Sequence, residues 1–218
     1  MSERILQQAP LAHVSARPGA AVAPATALRY CENGLRGHIN LRGDPADARF
    51  AAAAERALGA ALPTAANTTR IAGDIIVYWL GPDEWLAVTP GEREQEVVNA
   101  LRSGLDGVHS SVTPVTGGQT VLVLRGTHAR DLLAKGCPFD LHSPGFRPGA
   151  CAQTHLAKAG VLLRPLGDDG MEIIVRRSFA DYLYKWLETA AAEYGWVHAT
   201  GEAPESRAHL ANAQNTVT

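Results

Sequence analysis

Cysteine is scarce in this sequence. Three residues, an odd number separated by long intervals, do not make the disulfide framework of a secreted domain. Excess positive charge is lacking too: 20 basic residues against 22 acidic ones leave a formal net charge of −2. Nucleic acid and anionic membranes both demand clustered Lys and Arg, so neither is expected as a partner. No apolar run approaches the ~20 residues of a spanning helix. Met1 to Ala9 carries Glu3, Arg4 and two Gln with no apolar stretch behind it, so no secretory signal is read there. The cytoplasm is the expected compartment. Catalytic signatures are also missing. There is no G-x-S-x-G elbow, no G-x-G-x-x-G and no phosphate-binding Lys motif, and Gly117-Gly118 stands alone.

What is present is enough for a core. The chain has 218 residues, of which 46 % are hydrophobic, sufficient for one large domain or two small ones. Residues 1–27 are rich in Ala and Pro without helical or strand period, and read as an extended or disordered arm. Residues 199–218 are small and polar and read as a loose tail. A single α+β domain is expected over 28–198.

That domain is duplicated. Asp44 reads as an N-cap with Pro45 at the first helical position, and Phe50, Ala53, Ala54, Ala57 and Leu58 follow helical spacing up to Gly59. A second strand, Val121 to Arg125, opens a second helix with Ala129, Leu132 and Leu133 inward and Gly136 as the stop. The two Leu-Arg-Gly triplets that precede these helices end at Gly43 and Gly126, 83 residues apart (126 − 43). Each helix leads to a hairpin. Ile75–Leu80 turns at Gly81-Pro82-Asp83 into Glu84–Val88, and Val161–Leu166 turns at Gly167-Asp168-Asp169-Gly170 into Met171–Val175. These turns lie 86 residues apart (167 − 81). A helix follows each hairpin: one uses Val97, Val98, Leu101 and Leu105. The other is read with Ser178 as cap, Asp181 at N3, and Phe179, Tyr182, Leu183, Trp186, Leu187 and Ala190 as one stripe. Two strand–helix–hairpin–helix repeats, about 35–107 and 112–196, are expected, with helices segregated from antiparallel hairpins.

The longest irregular stretch is Gly136–Ala150, where Pro138, Pro144 and Pro148 exclude both helix and ladder strand. Cys137, His142, Cys151 and His155 fall in or beside it and supply ligand types that zinc accepts. Their spacing lacks a close C-x2-C pair, which favours the reading of two buried thiols with surface histidines over a zinc site. Cys137 precedes a proline without a helix N-terminus to activate it. Asp83, Glu84, Asp168 and Asp169 offer carboxylates, yet all sit in hairpin turns, where geometry alone calls for Asp and Gly. Trp79, Trp85, Trp186 and Trp196 read as packing residues. No catalytic, cofactor-binding or metal-binding residue is therefore assigned. Phe139, Leu141 and Phe146 give the loop apolar side chains that either anchor a partner or fold under the loop into the chain's own core.

Four motifs in order, Trp79–Leu86 (WLGPDEWL), Gly136–His142, Phe146–Cys151 and Arg177–Tyr182, resemble the gamma subunit of heterotetrameric sarcosine oxidase over about Leu35 to Trp196. The resemblance implies a fold similar to the folate-binding domain of the glycine-cleavage T-protein. It implies alpha, beta and delta partner subunits that carry FAD, FMN, NAD and zinc, with no cofactor on this chain. It implies a complex that oxidises sarcosine to glycine with peroxide and formaldehyde or methylenetetrahydrofolate as products. The folate enzymes of that fold carry an Asp-x-Ser motif where this chain reads Tyr30-Cys31-Glu32-Asn33-Gly34. A structural, non-catalytic subunit is therefore the expected role. The alternatives are a stand-alone folate-dependent aminomethyl-transfer protein, or the equivalent subunit of an oxidoreductase for another N-methyl amino acid.

Overall fold

In the computed structural model, which describes residues 8–14, 28–33, 35–167 and 169–198, the chain builds two sheets that face each other. In order come β1 (Leu28–Glu32), β2 (Arg36–Gly43), α1 (Ala48–Leu58), β3 (Thr69–Ala72), β4 (Ile75–Gly81), β5 (Glu84–Pro90) and α2 (Glu94–Gly104). Then follow β6 (Ser110–Pro114), β7 (Gln119–Arg125), α3 (Ala129–Ala134), β8 (Ala152–Leu156), β9 (Ala159–Pro165), β10 (Gly170–Arg176), α4 (Ala180–Ala190) and β11 (Trp196–His198). One sheet runs β3-β4-β5-β2-β6 and the other β11-β1-β7-β10-β9-β8. Of the expected arm only 8–14 are described; the rest of 1–27 and the expected tail, 199–218, lie outside the described residues.

The duplication is sharp in the backbone. β10 follows β5, and α4 follows α2, at a constant offset of 86 residues (170 − 84 and 180 − 94). A short 3-10 turn introduces each of those helices, Gly91–Arg93 in one unit and Arg177–Phe179 in the other. The first unit reaches beyond the expected limit near 107, because β6 pairs with β2. β1 takes the place of β6 in the second sheet, pairing antiparallel with β7, and β11 joins it in parallel. The sheets are also stitched at their edges: Thr69 N–H donates to the Gly149 carbonyl at 2.8 Å, and Cys151 N–H to the Asn67 carbonyl at 2.8 Å.

Each sheet has both faces covered. Ile39, Leu41, Val77 and Trp85 pack beneath α1 and α2, while Leu122, Leu124, Leu163 and Ile173 pack beneath α3 and α4. Between the sheets, Tyr78, Leu86 and Val88 meet Val121, Leu162 and Ile174. The result is a four-layer stack of helices, sheet, sheet and helices. Among the described residues no helix is long and apolar enough to cross a membrane.

Two helix starts differ from their sequence reading. The cap of α1 is Asp47, whose side chain accepts the Arg49 N–H at 2.8 Å. Asp44 instead accepts the Ala46 N–H at 2.9 Å, so it and Pro45 form a separate turn ahead of the helix, a local bond that competes with helix capping. Ser178 caps nothing; it sits inside the 3-10 turn, and α4 starts at Ala180 without a side-chain cap. The buried stripe of α4 is Ala180, Leu183, Tyr184 and Leu187, leaving Phe179 and Tyr182 on the outside. α3 keeps the expected inward Ala129, Leu132 and Leu133. Gly136 beyond it lets the Trp186 ring approach, since a Cβ there would lie 2.5 Å from that ring.

Candidate functional site

The loop after α3 owes its shape to one arginine. Arg130, on α3, donates to the carbonyls of Leu141 and Phe146 and, at 3.4 Å, of Gly167. These bonds replace the ladder that the prolines forbid. Within the loop, Asp140 accepts the His142 N–H at 3.0 Å and the Ser143 carbonyl accepts the Phe146 N–H at 2.9 Å. Phe139 and Phe146 meet edge to face at 4.9 Å. Leu141 is 1 % and Phe146 4 % exposed, both inside the second unit's core, with Phe139 packed against it. Leu141 and Phe146, read as anchors for a partner or for the chain's own core, are thus buried by this chain itself, while Phe139 stays half-buried. Outside the loop lies a shallow cleft of ≈ 560 Å³ lined by Arg130, His142, Ser143, Pro144, Phe146 and Arg147.

The thiols and imidazoles do not converge. Cys137 Sγ lies 3.8 Å from Thr154 Oγ1, whereas Cys151 points at the carbonyls of Thr68 and Trp79 in the layer between the sheets. Burial pushes the Cys151 thiol up to about 11, which makes it a poor nucleophile at neutral pH. His142 faces Asp131 at 3.5 Å and His155 is exposed. Among the described residues, no three His, Cys, Asp or Glu side chains gather as a metal site.

The turn carboxylates serve geometry. Asp83 accepts from Arg42 at 3.0 Å and Glu84 from Asn40 at 2.7 Å, while the backbone carbonyl of Asp169 accepts the Gly126 N–H at 2.8 Å. Asp168 lies outside the described residues. Gly118 closes the β6–β7 turn through its N–H to the Val115 carbonyl. Trp85 is fully buried and donates to the Pro63 carbonyl at 2.8 Å, Trp79 and Trp186 pack against the two helix-backed cores, and Trp196 stacks on Tyr30 at 5.4 Å. On β1, Glu32 accepts the Thr120 hydroxyl at 2.6 Å and the Leu11 N–H at 3.2 Å. It thereby pins the described part of the arm, whose Leu11 is 2 % exposed, onto the second unit.

One constellation escaped the sequence reading. Arg164 donates to Glu172 at 2.9 Å and 3.0 Å, and to the Tyr78 hydroxyl at 3.1 Å, while Tyr78 donates to Glu172. Tyr78 and Glu172 are buried between the sheets, and the Arg164 side chain is 11 % exposed. Burial works to raise the Glu172 carboxyl, but the Arg164 guanidinium and the hydrogen bonds outweigh it and hold its pKa below the ordinary range. The Tyr78 hydroxyl is driven well upward by burial and by the Glu172 charge. Tyr78 pairs with Leu86 across β4–β5, and Arg164 with Glu172 across β9–β10. With the 86-residue offset, Tyr78 and Arg164 occupy equivalent places in the two units, as do Leu86 and Glu172. The available signal was a charge interrupting each of two apolar strands, in VLLRPL and MEIIV. Nearby, His38 is 1 % exposed, and burial lowers its pKa to about 4.

An ion pair this deeply placed, completed by a hydroxyl from the facing sheet, ties the two sheets together. Two helix-backed sheets arranged in this way define the fold of the glycine-cleavage aminomethyltransferases. The T-protein of Bartonella henselae superposes with a TM-score of 0.56 and 18 % identity, covering 79 % of this chain and 49 % of that one. Within that fold the sarcosine oxidase, gamma subunit family matches residues 42–193, and the chain belongs to that family. Sarcosine oxidase subunit gamma of Corynebacterium sp. (strain U-96) is 34 % identical over 193 residues, covering 87 % of this chain and 92 % of the relative. The Arthrobacter sp. counterpart is 32 % identical over 191 residues, with the same coverage of both chains. A chain of the heterotetrameric sarcosine oxidase from Corynebacterium sp. U-96, solved with pyrrole 2-carboxylate, superposes with a TM-score of 0.79 and 31 % identity. It covers 90 % of this chain and 99 % of its own length.

Proposed function

We propose that this chain is the gamma subunit of a heterotetrameric sarcosine oxidase and acts in it as a structural, non-catalytic component. The observation that carries this reading is the near end-to-end match with a chain of the Corynebacterium heterotetramer. Alpha, beta and delta subunits are its partners, and the FAD, FMN, NAD and zinc of the complex reside on them. The cytoplasm is its compartment. Three features of the chain agree with a supporting role: a buried Arg164–Glu172 pair, a loop whose carbonyls are held by Arg130, and a Cys151 thiol raised out of the reactive range. Sarcosine, rather than another N-methyl amino acid, is the substrate of the assembled enzyme.

The test is co-expression with the three partner subunits and a tag on this chain. The eluate is expected to contain all four polypeptides and to release peroxide from sarcosine, whereas the chain alone releases none. A chain that purifies without flavin-bearing partners and binds tetrahydrofolate tightly by itself would overturn the reading in favour of an aminomethyl-transfer protein.

A further inference from the structure

The duplication supplies an internal control for the surface at the start of α4. In the first unit the equivalent turn carries Arg93 and Glu96, which form an i, i+3 ion pair at 3.5 Å, and Arg93 also reaches Asp74 at 2.5 Å. The same two places in the second unit hold Phe179 and Tyr182 (179 − 93 and 182 − 96, both 86). They pack edge to face at 6.3 Å and remain 40 % and 36 % exposed. Ahead of them, Pro90 and Gly91 of the first unit are replaced by Arg176 and Arg177, both exposed. Neither arginine side chain has a hydrogen-bond or ion-pair partner among the described residues. Of the two carboxylates nearest them in the chain, Glu172 is held by Arg164 at 2.9 Å and 3.0 Å, and Asp181 by Lys185 at 2.7 Å and His13 at 3.3 Å. An open cleft of ≈ 590 Å³, lined by Pro10, Gly118, Arg176, Arg177 and Ser178, adjoins the aromatic pair.

The backbone therefore does not require this chemistry, since the same turn and helix form in the first unit with a solvated ion pair. Exposed aromatics beside uncompensated arginines are the composition of a binding hot spot. We propose that Arg176, Arg177, Phe179 and Tyr182 form a docking face for a partner subunit that presents carboxylates around an apolar centre. This inference rests on the subunit role proposed above and assigns it to one surface. The occupant follows from charge complementarity: two free guanidiniums need two carboxylates, and the ring pair needs an apolar counterpart.

Two variants of the full chain test it, Arg176→Glu/Arg177→Glu and Phe179→Ala/Tyr182→Ala, each co-expressed with the partner subunits. Binding of the purified chain to the remaining subunits is measured at low and high salt. Each variant is expected to bind at least about tenfold more weakly with an unchanged melting temperature, as loss of an interface anchor implies. The wild-type affinity is expected to fall with salt, and the arginine variant is expected to lose that dependence. Arg93→Ser, the matching change in the first unit, should leave binding unaltered. If the charge-reversed chain misfolds, the aromatic variant decides alone. Wild-type binding with both variants within about twofold of it overturns this face and leaves the subunit role standing. A wild-type chain that binds no partner overturns both. Self-association of the isolated chain that these variants abolish would give the face to a second copy and likewise overturn the proposal.

Discussion

At two equivalent cross-strand sites the units of this chain make opposite choices. The first places Tyr78 beside Leu86, and the second places Arg164 beside Glu172, on strands of matching register. Because the inner faces meet, the aromatic hydroxyl of one unit completes the ion pair of the other. Both charges come from the second unit, and the first supplies the hydroxyl that accepts from Arg164 and donates to Glu172; a buried ion pair needs such added hydrogen bonds to offset its desolvation. The equivalent places of the two units have thus diverged into complementary chemistry, a hydroxyl in one and an ion pair in the other. The same contrast recurs on the first helix of each unit. α1 has 11 residues, whereas α3 has six and gives way to the proline-rich loop that Arg130 holds in place.

The comparison can be broken most severely at the ion pair. Arg164→Met leaves Glu172 buried without its partner and is expected to cost about 3–5 kcal/mol in urea unfolding. Arg164→Met/Glu172→Leu, which makes the second unit resemble the first, should recover most of that loss. A single variant as stable as wild type would refute the role given to the ion pair. Next comes the loop: Phe146→Ala should cost about 3–4 kcal/mol by emptying a core site, while Phe179→Ala, in the same unit but exposed, should change stability by less than about 0.5 kcal/mol. Equal effects would erase the distinction between the buried and exposed aromatics of this unit.

A pH titration sharpens the comparison further. His38 stands where the second unit has Val121, 83 residues on. Its folded-state pKa of about 4 lies below the ordinary 6.5, so the unfolded chain binds the extra proton first. Stability is complete above about pH 6.5 and falls as the pH drops toward 4, by up to about 3 kcal/mol. Below that, Glu172 extends the decline, because its depressed pKa means stability is lost as it protonates. His38→Val should flatten the upper part of the curve, and an unchanged curve would assign the acid sensitivity elsewhere. The smallest effect separates the helix starts. Asp47→Ala should lower the melting temperature measurably, whereas Ser178→Ala, with no cap to lose, should leave it unchanged.

Much of this fold could be read from periodicity. Val97, Val98 and Leu101 on α2, and Ala129, Leu132 and Leu133 on α3, are where their spacing puts them, because a helix must turn its apolar stripe to the core. The hairpins were legible from Gly-Pro-Asp and Gly-Asp-Asp-Gly between apolar runs. β3 and β6 were not, being short edge strands without a buried alternating face. The stripe of α4 was misjudged because Phe179 and Tyr182 are apolar but serve no core, and hydrophobicity alone does not say which side of a helix is covered. In the loop, Phe146 could be recognised as an anchor, yet only the Arg130 bonds show that its place is inside. The Tyr78–Arg164 contact spans two units, and no local pattern encodes a pairing at that separation.

The subunit role stands or falls most directly on native mass spectrometry of the co-expressed, tagged complex. The expected spectrum shows one copy of this chain in a four-subunit particle, and on gentle activation this chain leaves as bare polypeptide while flavin and zinc stay with the remaining subunits. A chain that never enters the particle, or that departs carrying flavin, nucleotide or metal of its own, would contradict it.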